Sequence, residues 1–287
     1  MRGSVTGATF AALLAGAAAS NAADLPAPAP PVPAPVIAPS GWQFTATLPA
    51  WATWLDGSVG VGRLPTANVN ASLGTILAHL KGILAGTFIA HDETFILGLD
   101  FLWSRVGANV NFSSNGVGPF VNLRSQTSAS LTQDMAFATA FGGYRIPVGS
   151  PDLHLYGTIG ARYSYMGLNI NLTHQFGTTA FLQPVGFSLV SNQSLNWVDP
   201  VVGLAAHYRV NDKWFIDAYG DIGGFGVSSK VTTLGEIAVG YNWTQSIATS
   251  LGFKYLYDDY QRNNANNGSF RYNATLYGPV VNLSYTF

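Results

Sequence analysis

Residues 274–287 alternate with a period of two. Thr275, Tyr277, Val281, Leu283, Tyr285 and Phe287 interleave with Ala274, Gly278, Asn282, Ser284 and Thr286. The pattern repeats at 247–258, where Leu251, Phe253, Tyr255 and Tyr257 interleave with Ser250, Gly252, Lys254 and Asp258. It repeats again at 214–222, where Trp214, Ile216, Ala218 and Ile222 interleave with Phe215, Asp217, Tyr219 and Asp221. Successive side chains of a strand point to opposite faces, so each such segment reads as a two-faced strand.

Composition decides which face meets water. Only 9% of the 287 residues are charged, 13 basic and 14 acidic, against roughly 25% in an ordinary soluble domain. Apolar residues still make up 48%. No run of about 20 apolar residues follows the first two dozen positions, so helical membrane spans are excluded. Abundant aromatic and β-branched residues exclude a disordered chain. A β-rich protein whose outside faces lipid remains. No basic cluster marks a nucleic-acid surface. The chain has no cysteine, which removes disulfides, thiolate catalysis and zinc–thiolate sites.

Residues 1–22 read as a secretory signal, with Arg2 ahead of a small apolar stretch and Ser20-Asn21-Ala22 as the cleavage site. Residues 23–40, rich in proline and alanine, read as an extended periplasmic tether. Residues 41–287 form the barrel domain. Ten strands are expected at about 42–55, 82–91, 94–105, 128–145, 153–167, 196–210, 213–224, 230–243, 246–260 and 271–287, with eight or twelve as the alternatives. Tight connections alternate with long ones at 56–81, 106–127, 168–195 and 261–270. That asymmetry characterises antiparallel up-and-down barrels of the bacterial outer membrane.

The charges test this reading. With each strand's register set by its large apolar residues, Asp100, Asp134, Arg162, Asp199, Arg209, Asp217, Asp221, Glu236, Lys254 and Asp258 all fall on the small-polar, lumenal face. A lipid-facing Arg or Lys at the bilayer midplane costs about 2–4 kcal/mol, and none is expected there. Pairing across the 211–212 turn sets His207 beside Asp217. Pairing across 244–245 sets Glu236 beside Lys254, with Asp221 one strand further on. Aromatics near strand ends, such as Trp54, Trp103, Tyr163, Tyr165, Trp214 and Tyr285, suit two interfacial girdles.

The ending Val281-x-Leu283-x-Tyr285-x-Phe287 resembles the C-terminal signal read by the outer-membrane assembly machinery. The mature chain is similar to a family of alphaproteobacterial outer-membrane β-barrel proteins. The matching stretches are Leu77-Ala78-His79-Leu80-Lys81, Gly86-Thr87-Phe88, Leu97-Gly98-Leu99-Asp100, Trp197-Val198-Asp199-Pro200-Val201-Val202-Gly203, Tyr219-Gly220-Asp221-Ile222-Gly223-Gly224-Phe225-Gly226-Val227 and Tyr255-Leu256-Tyr257-Asp258-Asp259-Tyr260. Ile89 departs from the pattern, where a lumenal acid is expected. The resemblance implies export to the outer membrane, contact with its lipid and lipopolysaccharide, and delivery by the assembly machinery. It implies little about activity.

Three functional classes stay open on the sequence. A structural or narrow-pore role is the first; an open lumen lined by those ten charges would prefer cations. An outer-membrane enzyme is the second. A rim protease would use Asp258 and Asp259 with His79 or His174, and a lipid-modifying enzyme would use Asp259. A surface-binding barrel is the third, acting through loops rich in Asn such as Asn263, Asn264, Asn266 and Asn267. The segment 73–80 reads as a short amphipathic helix over the mouth. No phosphate loop, dinucleotide fingerprint or metal-ligand spacing is present, so no catalytic residue, cofactor or metal is assigned. Oligomeric state has no sequence signature.

Overall fold

The structure, a computed structural model, describes residues 41–62, 66–117, 122–178, 185–264 and 268–287. The expected signal at 1–22 and tether at 23–40 lie outside the described residues, as do Asn266 and Asn267. In chain order the elements are β1 (Gln43–Trp51), β2 (Trp54–Gly62), β3 (Ala67–Ala71), α1 (Leu73–His79), β4 (Leu80–His91), β5 (Phe95–Val117) and β6 (Asn122–Ile146). They continue with β7 (Leu153–Thr178), β8 (Val185–Arg209), β9 (Trp214–Gly223), β10 (Ser229–Asn242), β11 (Ile247–Asn264) and β12 (Gly268–Thr286).

Ten staves close into one antiparallel barrel. The order runs β1-β4-β5-β6-β7-β8-β9-β10-β11-β12, and β12 returns to pair with β1. β2 continues along β12 in the register of β1, Trp51 opposite Val280 and Trp54 opposite Tyr277, so β1 and β2 are one interrupted stave. Gly278 makes the interruption possible. A Cβ there would meet the Ala52 carbonyl oxygen at 1.9 Å and the Trp54 ring at 2.9 Å. The Ala52 N–H instead reaches the Pro279 carbonyl at 2.9 Å. β3 folds back onto the free edge of β2, and α1 follows, its N-cap Ser72 accepting from the Thr75 N–H at 3.3 Å.

Outward positions carry the apolar belt. Leu251, Val281, Leu283, Ile237 and Ile159 are all exposed, the environment that lipid would fill. Aromatics bound the belt at both ends. Phe95 and Tyr144 meet edge-on at 5.6 Å near the short turns, and Trp54 stacks on Tyr277 at 6.3 Å near the long hairpins. By the usual barrel polarity the short-turn end, which carries both Gln43 and Phe287, is periplasmic.

Two expectations change. The stretches 106–127 and 168–195 are largely strand, not loop. β5, β6, β7 and β8 have 23, 25, 26 and 25 residues, where about 9–11 suffice to cross the hydrocarbon. Their outer halves form a four-stranded sheet projecting beyond the other staves, because β4 stops pairing at Val106 and β9 at Val201. The polarity of its faces is inverted relative to the barrel. The outward face carries Asn109, Asn111, Ser128, Ser130, Asn169 and Asn171, while Leu131, Ile170 and Leu172 occupy the other. Outside lipid, the outward face meets water and the alternation keeps its period but exchanges its sides.

The second change concerns β6. Met135, Phe137 and Phe141 point inward and are buried, and the lipid-facing side of the stave is Ala136, Ala138 and Ala140. Large residues are needed inside to fill the barrel: Phe141 stacks on Tyr219 at 4.8 Å. The register set by large residues facing lipid is therefore reversed in this stave, and Asp134 lies on the outward face.

Candidate functional site

The lumen is filled in levels. At the short-turn mouth, cross-strand partners His207 and Asp217 meet, Nδ1 to Oδ1 2.7 Å, with both side chains about half exposed. His154 sits opposite His207 on β7, ring centroids 6.3 Å apart. Arg209, also at this rim, donates to Asp152 Oδ1 from Nε at 3.1 Å and Nη2 at 2.7 Å. Just above, Ile96, Phe141, Tyr156 and Ala205 form a small apolar cluster, with Ile89 packed against it. Ile89 thus faces the lumen where an acid was expected.

The next level centres on Lys254. Its Nζ lies 2.6 Å from Asp100 Oδ2 and 3.4 Å from Glu236 Oε2. Glu236 also accepts from the Asn282 amide at 2.8 Å, and Thr87 donates to Asp100 at 2.8 Å. The Glu236–Lys254 contact follows from the short turn that makes them cross-strand partners. Asp100 arrives from β5 on the far side of the lumen, a contact no local pattern in the sequence marks.

Asp221 does not join this group. It belongs to the level above, with Arg162, and both side chains are fully buried. Arg162 Nη2 donates to Asp221 Oδ1 at 2.7 Å and Oδ2 at 2.6 Å, Nε donates to Thr139 at 3.0 Å, and Nη1 to Thr232 at 2.8 Å. Asp221 accepts further bonds from the Tyr219 hydroxyl at 2.9 Å and the Leu234 N–H at 3.0 Å. A buried ion pair is tolerable only when its remaining hydrogen-bonding capacity is taken up in this way.

Asp199 and Asp258 occupy the outermost polar level, linked through Ser229. The Ser229 N–H donates to Asp199 Oδ1 at 2.8 Å and its hydroxyl to Asp258 Oδ1 at 2.7 Å. Trp197 Nε1 and the Ser164 hydroxyl donate to Asp258 Oδ2 at 3.2 and 3.3 Å. Asp199 Oδ2 has no hydrogen-bond partner among the described residues. An apolar cluster including Trp197, Leu256, Tyr260, Tyr272 and Leu276 covers this level, and Ile76 of α1 packs on it from outside. Tyr260 stacks on Trp197 at 4.1 Å. The expected short helix is present, seated on the interior cluster.

The residues considered for catalysis are dispersed. Asp258 is 1% exposed inside the barrel rather than at the rim. Asp259 faces outward, 3.8 Å from Lys230. His79 Nδ1 contacts the Thr75 carbonyl at 2.8 Å within α1, and His174 Nδ1 contacts Thr127 Oγ1 at 2.8 Å on the projecting sheet. Asp134, expected in the lumen, instead holds Arg105 on the outward surface, Nε to Oδ1 2.5 Å and Nη2 to Oδ2 3.2 Å. The C-terminal Val281, Leu283, Tyr285 and Phe287 all face outward; Phe287 stacks on Phe44 at 5.8 Å, and the two residues exchange backbone hydrogen bonds that close the barrel.

A closed antiparallel barrel with an apolar outside and a charged, hydrogen-bonded inside is an outer-membrane β-barrel. No family model matches the chain, and no curated protein matches it. Among solved structures it is similar to the outer membrane protease OmpT from Escherichia coli, at 10% identity over 87% of this chain and 97% of that one, TM-score 0.48. It is similar to the translocator domain of the autotransporter NalP from Neisseria meningitidis, at 11% identity over 88% and 90%, TM-score 0.37. It is also similar to Ail, the attachment invasion locus protein of Yersinia pestis, at 9% identity over 86% and 99%, TM-score 0.27. Likeness at this level carries nothing about activity; the class rests on the strand order and the two faces.

Proposed function

We propose that this protein is a sealed outer-membrane anchor that presents the β5–β8 sheet at the cell surface as a binding platform for neutral, hydroxyl-rich ligands such as glycans. The observation that carries this reading is the outward face of the projecting sheet. Its amides and hydroxyls, from Asn109, Asn111, Gln126, Ser128, Thr173 and Gln175, form a grid of uncharged polar groups. A hollow of about 330 Å³ opens there, lined by Asn111, Ser113, Gln126, Thr127, Ser128, Thr173 and Gln175. Side-chain amides offer both donors and acceptors to a sugar hydroxyl pair, and no buried charge has to be desolvated to receive one.

The filled lumen weighs against the narrow-pore reading, and the dispersal of Asp258, Asp259, His79 and His174 gives the enzyme reading no support. The resemblance to alphaproteobacterial outer-membrane barrels fits a surface role reached by export through the periplasm. The test is a glycan array probed with the folded, detergent-solubilised protein. Binding of neutral glycans that is lost in Asn111→Ala/Gln126→Ala supports the platform. Binding that survives the pair of substitutions, or no glycan binding, overturns it.

A further inference from the structure

On the lipid-facing side of β5, β6 and β7, a furrow runs down the barrel. Its floor is Ala136, Ala138 and Ala140 of β6. The neighbours at each level are Trp103, Phe101 and Leu99 on β5 and Tyr165, Tyr163 and Ala161 on β7. Three alanines, flanked by large residues on both sides at Ala136 and Ala138 and by Leu99 on one side at Ala140, leave an apolar channel about 13 Å long, counted at 3.3 Å per residue. The channel ends at Asp134, the next outward residue on its floor.

Two cations stand at that end. Lys81 is the extra residue of a bulge between Leu80 and Gly82, which turns its side chain out over β5. A Cβ on Gly107 would lie 2.4 Å from Lys81 Nζ, so the ammonium rests on the outward face of that glycine. Arg105 sits two residues before Gly107 on the same face, a spacing of about 7 Å. Asp134 grips Nε and Nη2 of Arg105, which leaves Nη1 without a protein partner among the described residues. Lys81 has no ion-pair partner among them either.

The surroundings are shaped to keep these groups flat against the sheet. Gly82 lies under the Trp103 ring, where a Cβ would approach it to 3.2 Å, and Gly167 lies under the Tyr165 hydroxyl, where a Cβ would come within 2.9 Å. Arg105 Cζ lies 5.8 Å from the Trp103 ring centroid. One acid thus stands beside two bases and pairs with Arg105 alone, leaving an excess positive charge beside Trp103 and Tyr165, aromatics of the kind that mark the headgroup level.

We propose that this patch binds a phosphate-bearing lipid of the outer leaflet, the phosphate bridging Lys81 and Arg105 and one acyl chain lying in the Ala136–Ala138–Ala140 furrow. Asp134 is a positioning residue that fixes the Arg105 fork. The charge complementarity selects the phosphate, and the continuity of the furrow with the patch selects a lipid over a free anion. This inference is independent of the surface-binding platform, which uses the outer part of the same strands, from Asn109 and Ser130 outward, beyond Gly107.

The test is equilibrium binding to the folded full-length barrel in detergent micelles, using diphosphoryl lipid A, its dephosphorylated counterpart, and inorganic phosphate. Folding of each variant is verified by heat-modifiable electrophoretic mobility. Diphosphoryl lipid A is expected to bind, with affinity falling roughly tenfold or more for each of Lys81→Gln and Arg105→Gln, as charge-assisted hydrogen bonds are lost. Ala138→Phe, which blocks the furrow and leaves both cations in place, is expected to abolish lipid binding. Equal affinity for the dephosphorylated lipid, unchanged affinity in the variants, or saturation of the site by inorganic phosphate alone would each overturn the proposal.

Discussion

Arg162 and Asp221 lie on staves separated by β8, yet meet inside the barrel with both side chains fully buried and Nη2 2.6 Å from Oδ2. Their pair, with Thr139 and Thr232 on either side, spans the lumen from β6 to β10. Removing one member leaves the other as a buried, unpaired charge. Arg162→Met is therefore expected to destabilise the folded barrel by about 3–5 kcal/mol. Arg162→Met/Asp221→Leu is expected to recover only part of that loss, since two apolar groups demand no partner but the Tyr219 hydroxyl and the Leu234 N–H lose their acceptor. Denaturant unfolding in detergent, followed by tryptophan fluorescence, measures both.

The break between β1 and β2 depends on one missing methyl group. Gly278→Ala would place a Cβ against the Ala52 carbonyl and the Trp54 ring. The expected cost is about 1–3 kcal/mol, the usual range for overpacking. A lowered denaturation midpoint with unchanged slope is the expected result.

The β4–β5 turn is sensitive to acid. Asp92 Oδ1 accepts from the Phe95 N–H at 2.5 Å and the Thr94 N–H at 2.7 Å, and these bonds hold its pKa below the ordinary value of 3.8. A depressed pKa means the carboxylate stabilises the folded turn above that ordinary value, and this contribution is lost as pH falls through the lower, folded value. Asp92→Ala is expected to be less stable than the parent at neutral pH, with the difference shrinking under strong acid. Parallel unfolding curves at the two pH values test the sign.

Much of this architecture was legible because a short turn fixes register. His207–Asp217 and Glu236–Lys254 are cross-strand partners that any tight hairpin of those lengths would create. Asp100 reaches Lys254 only through barrel closure, which brings together residues 154 positions apart. β6 misled for a physical reason: large side chains mark the lipid face only where the lumen is already filled from elsewhere. Here Met135, Phe137 and Phe141 do the filling, so alanine faces lipid and Asp134 goes out with it. The outer halves of β5 to β8 read as loops because Asn, Ser and Thr dominate their outward face. Their period was intact, with Leu168, Ile170 and Leu172 at alternate positions.

The central claim is that the barrel is sealed, and single-channel recording in planar bilayers tests it most directly. Arg162, Asp199, Ser164, Ser229 and Thr232 all face the lumen with no exposed surface. The refolded protein is therefore expected to insert without producing conductance steps. Reproducible stepwise conductance from the purified wild-type barrel would contradict the account.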